Sequence, residues 1–355
     1  MEGTQAQPTQ TDLPPGIDAT NVTGWFEQHA PAVTPPLTFQ LIAGGHSNLT
    51  YRVDDTAGHS WVLRRPPLGH VLATAHDMAR EHRIISALAP TDVPVAPVIG
   101  LCQDEQVNGA PFYVMDFVEG AVLRNSGAAK DFSLEARTHA GHETADVLAK
   151  IHAVDPDKVG LGELGRKEAY IERQLKRWHR QWEQSKTREL PVVEEVHEAL
   201  AAGIPEQGPA AIVHGDYRLD NCLVAPDGAI SAVLDWELCT LGDPMADLGL
   251  LLVYWAEADD QVAALGDSAT LLDGFPSRAE LIERYASASG RDAARDPSRV
   301  NYYMAFGYWK LACILEGVFA RYQAGAMGQA GGFEGFGLQV EVLAQAARTT
   351  LDDNK

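Results

Sequence analysis

His214-Gly215-Asp216-Tyr217-Arg218-Leu219-Asp220-Asn221 decides how this chain reads. It lies between two short apolar runs, Ala211-Ile212-Val213 and Cys222-Leu223-Val224, and so forms a tight loop between strands. Nineteen residues beyond Asp216, Leu234-Asp235-Trp236-Glu237 ends a hairpin turned by Asp227-Gly228. The return of that hairpin brings a second carboxylate to the same rim. Asp216, Asn221 and Asp235 thus make an oxygen-rich cluster, the donor type that suits magnesium and phosphate oxygens. Asp216 remains as a carboxylate able to accept a hydroxyl proton. Taken singly, the first stretch reads as a hairpin turn and Asp235 as a helix cap. Their order and separation together point to chemistry.

Composition bounds what surrounds this loop. A chain of 355 residues is long enough for two lobes, and 45% hydrophobic with 22% charged residues is the balance of a globular protein. Its longest apolar run, Leu248 to Ala256, is far short of the ~20 residues of a membrane helix, and the first thirty residues show no signal peptide. No membrane partner is expected. Cys102, Cys222, Cys239 and Cys313 are widely spaced, which fits buried thiols in a reducing cytoplasm. The net charge of −21 repels a polyanion, so no nucleic-acid partner is expected. Against that background, Arg166 to Arg188 carries eight basic and three acidic residues.

Upstream, residues 1–16 read as a disordered tail of Gln, Thr, Pro and Gly, followed by a short helix with Trp25 and Phe26 as its apolar contacts. Residues 17–118 then form a small β-rich lobe. Its strands fall at Thr38–Ala43, Leu49–Asp54, Trp61–Arg65, Val98–Gln103 and Phe112–Phe117, with Asn108-Gly109 as a turn. One helix interrupts them from about Thr74 to Leu88, opened by Thr74-x-x-Asp77 at capping-box spacing. Residues 119–123 are the connector, and 124–355 are mostly helical, with helices at Ser133–His152 and about Lys167–Lys186. The fold class is α+β, a small β-rich lobe followed by a larger helical one.

The order His-x-Asp-x-x-x-x-Asn, then an Asp-led motif, resembles the protein-kinase catalytic set. With His-Gly-Asp and Leu-Asp-Trp-Glu as its variants, it is similar to the aminoglycoside-phosphotransferase family of small-molecule kinases, which have a protein-kinase-like fold. The resemblance implies that Asp216 is the catalytic base, that Asn221 and Asp235 hold Mg2+, and that ATP is the phosphate donor. His214 would hold the loop by a hydrogen bond, and Asp247 would brace the loop backbone.

The same resemblance assigns upstream parts. Gly44-Gly45-His46-Ser47-Asn48 lies between two strands where a phosphate-covering loop belongs; Gly45 lets the backbone approach phosphates, and Ser47 and Asn48 can donate to them. An ordinary hairpin turn is the plain alternative. In Val62-Leu63-Arg64-Arg65 an arginine stands where a kinase has lysine. Alternation puts Val62 and Arg64 on one face, so Arg64 is the phosphate ligand and Val62 the adenine contact. Glu81 shares a helix face with Met78, Ile85 and Leu88; an inward carboxylate is costly unless paired, which makes it the partner of Arg64. The stretch Phe112 to Gly120 resembles the family's hinge, where backbone groups, those of Met115 and Phe117 among them, read the adenine edge. His29, His59, His76, His139, His142 and His197 have no ligand spacing and read as surface or packed residues.

Val62-Leu63-Arg64-Arg65-Pro66-Pro67 and Gly307 to Gly317 resemble one branch, kinase-like domains found alone or fused to acyl-CoA dehydrogenases. That branch implies a hydroxyacyl-CoA or similar acyl-linked hydroxyl as acceptor, whereas the wider family implies aminoglycosides. Arg173, Lys176, Arg177 and Arg180 fall on one helix face, a stripe that an anionic acceptor would neutralise. A solvated face paired with acidic residues is the alternative. Two other functions stay open: a kinase-like nucleotide-binding module without turnover, and a metallophosphoesterase using His214 and Asp216, which lacks the further histidines such a site needs. The sequence leaves ATP against GTP and the oligomeric state open.

Overall fold

A computed structural model describes residues 13–43, 48–68, 77–260, 266–325 and 335–353. The chain divides into two compact units, one ending at Glu119 and the other beginning at Gly120.

The N-terminal unit runs α1 (Ala19–His29), β1 (Thr38–Ala43), β2 (Leu49–Asp54), β3 (Ser60–Arg65), α2 (Met78–Leu88), β4 (Val98–Cys102), α3 (Glu105–Asn108) and β5 (Phe112–Asp116). Its five strands make one antiparallel sheet in the order β1-β2-β3-β5-β4. The sheet's apolar face is closed by α1. Trp25 meets Phe112 edge-on at 5.2 Å, and Phe26 meets Trp61 at 5.4 Å; each aromatic pair adds about 0.5–1.5 kcal/mol beyond its buried area. Pro15 and Gly16, placed in the tail by composition, offer their carbonyls to the Tyr51 hydroxyl and the Arg65 guanidinium. Asp77 caps α2 by accepting from the Arg80 amide, so the helix starts later than the Thr74 spacing suggested, and Thr74 lies outside the described residues. Asn108-Gly109, read as a turn, closes the single helical turn α3, with Gly109 left-handed.

The C-terminal unit holds α4 (Ser126–Ala129), α5 (Leu134–Ala153), α6 (Tyr170–Ser185), α7 (Pro191–Ala202), β6 (Ala211–Val213), β7 (Cys222–Val224), β8 (Ile230–Val233), β9 (Thr240–Gly242), α8 (Met245–Tyr254), α9 (Arg278–Ser289), α10 (Pro297–Gln323) and α11 (Phe336–Asp352). Ser133 caps α5, accepting from the Ala136 amide. Two small antiparallel ladders, β6 with β9 and β7 with β8, sit among the helices. The long α10 crosses α8 closely because both carry glycine at the crossing. A Cβ on Gly249 would lie 2.5 Å from the Tyr303 backbone, and one on Gly307 3.0 Å from Val253. Among the described residues no helix is long and apolar enough to cross a membrane.

Candidate active site

In the C-terminal unit the loop 214–221 is held from three sides. Asp247, in the first turn of α8, is buried, and its carboxylate accepts from the His214 amide at 2.6 Å and the Gly215 amide at 2.9 Å. Gly215 has φ +86°, and a Cβ there would meet the Leu238 carbonyl at 2.9 Å, so this bend requires glycine. The His214 Nδ1 accepts from the Asp216 amide at 3.3 Å, which leaves Nε2–H to donate to the Leu234 carbonyl at 2.9 Å. His214 therefore links the loop to the segment just before Asp235 and is fully buried while doing so.

Asn221 is fixed by two hydrogen bonds to one residue. Its Nδ2 donates to the Asp216 carbonyl at 2.7 Å and to Asp216 Oδ2 at 2.9 Å. Both partners are acceptors, so the amide orientation follows from chemistry: nitrogen toward Asp216, oxygen away from it. The Asn221 carbonyl accepts from the Leu234 amide at 2.8 Å, continuing the β7–β8 ladder by one step. Asp235, the next residue, takes φ +62° and ψ +62°, and is one of two non-glycine residues with positive φ among those described. Left-handed backbone at a non-glycine position costs of order 1 kcal/mol or more and recurs where a side chain must be aimed. The ladder thus delivers Asn221 and Asp235 to the same edge as Asp216.

Charge around the loop is mixed. Arg218 Nε lies 3.7 Å from Asp216 Oδ2 and Nη1 lies 3.5 Å from Asp220, with the guanidinium over the Tyr254 ring at 4.5 Å. Burial pushes the Asp220 carboxyl up, opposed by Arg218 and Arg124. Burial would also raise Asp247, but the hydrogen bond from His152 and the loop amides outweigh it and hold the carboxyl below its ordinary value. Burial pushes the His152 imidazole down, opposed by Asp247, and its Nδ1 lies 2.8 Å from the Tyr285 hydroxyl.

Lys310 on α10 lies within the Gly307 to Gly317 stretch that carries the branch resemblance, which assigns it no role. Its side chain is buried, its Nζ donates to the Gly215 carbonyl at 3.1 Å, and it lies 5.7 Å from the Trp178 ring. Burial lowers its pKa, and Asp216 and Asp247 oppose that shift. No spacing flags this lysine, because it acts from 94 residues beyond Asp216 along the chain.

Within the N-terminal unit, Arg64 Nη1 lies 3.3 Å from Glu81 Oε1, and Glu81 is buried on α2 beside Met78, Ile84, Ile85 and Leu88. Val62 pairs with Met115 and Arg64 with Tyr113 across β3 and β5, and both Val62 and Met115 are buried. Arg65 turns to the opposite face, where its Nη1 donates to the carbonyls of Gly16 and Asn108. Asn48 is buried at the start of β2, and the Phe117 ring carries the Arg52 guanidinium 4.4 Å from its centre. Gly45 and Ser47 lie outside the described residues.

The family model described as "Phosphotransferase enzyme family" matches residues 38–297, which includes Arg64, Glu81, the loop 214–221, Asp235 and Asp247. The chain belongs to this phosphotransferase family. Its relatives include mouse acyl-CoA dehydrogenase family member 10, 35% identical over 293 residues, covering 81% of this chain and 27% of the relative. Across the curated relatives it matches, the chain spans 27–40% of their length. A solved structure from Ralstonia eutropha, described as a candidate aminoglycoside phosphotransferase, is 32% identical with a TM-score of 0.76, covering 94% of this chain and 98% of that one. An aminoglycoside phosphotransferase solved with ADP and hygromycin B has 14% identity and a TM-score of 0.61, covering 92% and 97%; the likeness there is one of fold. This protein is therefore a phosphotransferase-family member with the kinase-like fold of a small antiparallel-sheet lobe and a helical lobe.

Proposed function

We propose that this phosphotransferase uses ATP and Mg2+ to phosphorylate a hydroxyl of a small molecule, with Asp216 as the base. The observation that carries the proposal is the double grip of Asn221 Nδ2 on Asp216, inside a loop clamped by Asp247. The Asp216 carboxylate would take the proton of the acceptor hydroxyl as its oxygen forms a bond to the γ-phosphorus. The bond from that phosphorus to the bridging oxygen breaks, and ADP leaves with the electron pair.

The donor set fits a magnesium ion. Asn221 has its amide nitrogen committed to Asp216, which directs Oδ1 outward, and Asp235 is aimed by its left-handed backbone. Both are hard oxygen donors. When bound there, the ion would neutralise phosphate charge. Arg64, oriented by Glu81, would grip nucleotide phosphates, Val62 would face the adenine, and the backbone of Met115 and Phe117 would read its edge. Gly45, Ser47 and Asn48 complete the proposed phosphate loop.

For the acceptor we favour an acyl-linked hydroxyl such as a hydroxyacyl-CoA. Two observations support it besides the names of the relatives. Arg173, Lys176, Arg177 and Arg180 form no ion pair with any described carboxylate, and Lys176, Arg177 and Arg180 are exposed. Arg218 and Asp220 of the loop also border a cavity of about 390 Å³ walled by Leu251, Tyr254, Trp255 and Leu311, surface that an alkyl chain would cover.

The deciding experiment follows ATP consumption and phosphate transfer across hydroxyacyl-CoAs, free hydroxy acids, choline-like amines and aminoglycosides. Asp216→Asn is expected to lower turnover by roughly 10²–10⁴ and leave nucleotide affinity within a few-fold. Normal turnover in that variant would remove Asp216 as the base. Absence of transfer to every acceptor with nucleotide still bound would favour a binding module. On the best acceptor, Arg177→Glu is expected to raise KM in a salt-dependent way; indifference to it, or a preference for aminoglycosides, would refute the acyl-CoA reading alone.

A further inference from the structure

A second cluster of chemistry lies on α6 and α7. His179 comes from α6, and Glu194 and His197 stand three apart on one face of α7. One ligand atom from each of the three lies within 4.8 Å of the others, and all three residues are partly exposed. It is the sole such group of His, Cys, Asp and Glu among the described residues. We infer that His179, Glu194 and His197 bind a divalent transition-metal ion of the zinc class, at a site separate from the catalytic loop.

The chemistry selects the ion. Two imidazole nitrogens and one carboxylate oxygen suit zinc, nickel or cobalt, whereas magnesium prefers an all-oxygen shell. Glu194 is already oriented as a ligating carboxylate would be: Trp182 Nε1 donates to its Oε1 at 2.8 Å, which leaves Oε2 toward His179 Nε2 at 2.8 Å. Glu172, Lys176 and Arg180 line the same cavity as the two imidazoles.

Geometry shows what binding must change. The two imidazoles are stacked at 3.9 Å and are 5° from parallel, and His197 also stacks on Trp309 at 5.4 Å. An ion sits about 2.0–2.1 Å from a nitrogen and in the plane of its ring, so parallel stacked rings cannot share one. One ring must turn. Both imidazoles border a cavity of about 420 Å³ open to solvent, but His197 is backed by the Trp309 ring, so His179 is the ring that rotates. Its bond to Glu194 is then replaced by two bonds to the metal, clipping α6 to α7 across the short connection that joins them.

The test titrates Zn2+ into the metal-stripped full chain by calorimetry, with a thermal melt in parallel. One ion per chain is expected with a Kd in the micromolar range or tighter, and a higher melting temperature with Zn2+ than without. His179→Phe and His197→Phe, which keep a packing ring, are each expected to weaken binding at least about tenfold, and millimolar Mg2+ should not compete. A wild-type chain with no one-to-one binding below about 100 µM would overturn the inference. So would a loss of less than tenfold in either variant, since ion binding would then lie elsewhere. The readout is independent of phosphate transfer, so failure of either proposal leaves the other standing.

Discussion

Replacing Asp247 by Asn changes one oxygen to nitrogen and leaves the volume of a buried side chain almost unchanged. The native carboxylate receives the amides of His214 and Gly215 at 2.6 and 2.9 Å. A hydrogen bond to a charged group is worth about 1.5–3 kcal/mol, so the pair contributes about 3–6 kcal/mol. Asn keeps one oxygen and recovers about 1 kcal/mol as a neutral bond, while its own N–H groups face the second amide. The expected loss is about 2–5 kcal/mol, or roughly 5–15 °C in the melting of the C-terminal unit. Denaturant unfolding monitored by tryptophan fluorescence reads it directly. Acid supplies a control. Because Asp247 titrates below its ordinary value in the folded chain, its contribution is complete above the unfolded carboxylate pKa of ~3.9 and is lost as pH falls through the lower folded value. The gap between wild type and Asp247→Asn should therefore be full near neutrality and close on acidification below about pH 4. An unchanged midpoint at neutral pH, or a gap that widens in acid, would refute the bracing role.

Arg64→Ala is expected to weaken nucleotide binding and, by taking the guanidinium away from the buried Glu81 carboxylate, to cost stability as well; Arg65→Ala should cost stability with little effect on nucleotide binding, because that guanidinium ties β3 to Gly16 and Asn108. Isothermal titration with ATP beside thermal melts separates the two, and the opposite pattern would exchange the roles of the two faces. Asp235→Ala should abolish Mg2+-dependent nucleotide binding measured by the same titration, and retention of that dependence would place the metal elsewhere. Lys310→Met removes the donor to the Gly215 carbonyl but also relieves a buried charge, so the terms oppose. Stability should move by less than about 2 kcal/mol while turnover falls about tenfold, the effect of losing a bond of about 1.5 kcal/mol that positions the loop; unchanged turnover would make Lys310 a packing residue only.

The order of the motifs was legible because each is local. The strands β1 and β2 fall at the expected residues, and in β2 burial alternates residue by residue, since an antiparallel sheet with one covered face imposes period two on its own sequence. The inward position of Glu81 was legible for the same reason, through the 3.6-residue period of α2. His214-Gly215-Asp216 and the hairpin to Asp235 needed only a tight turn and a short ladder, which local residues encode. Other features had no local signature. Strand β9 is three residues long, too short to show any period, and is a strand only because β6 pairs with it. His197, read from spacing as a surface or packed residue, joins His179 and Glu194 because α7 folds back along α6, a contact no run of sequence contains. Lys310 reaches Gly215 only through the packing of α10 on α8, which Gly249 and Gly307 permit. What the chain by itself determined was which residues could do chemistry and on which face of an element each would lie. Which of them meet was decided by long-range burial of apolar faces, because that free energy depends on area removed from water and not on separation along the chain.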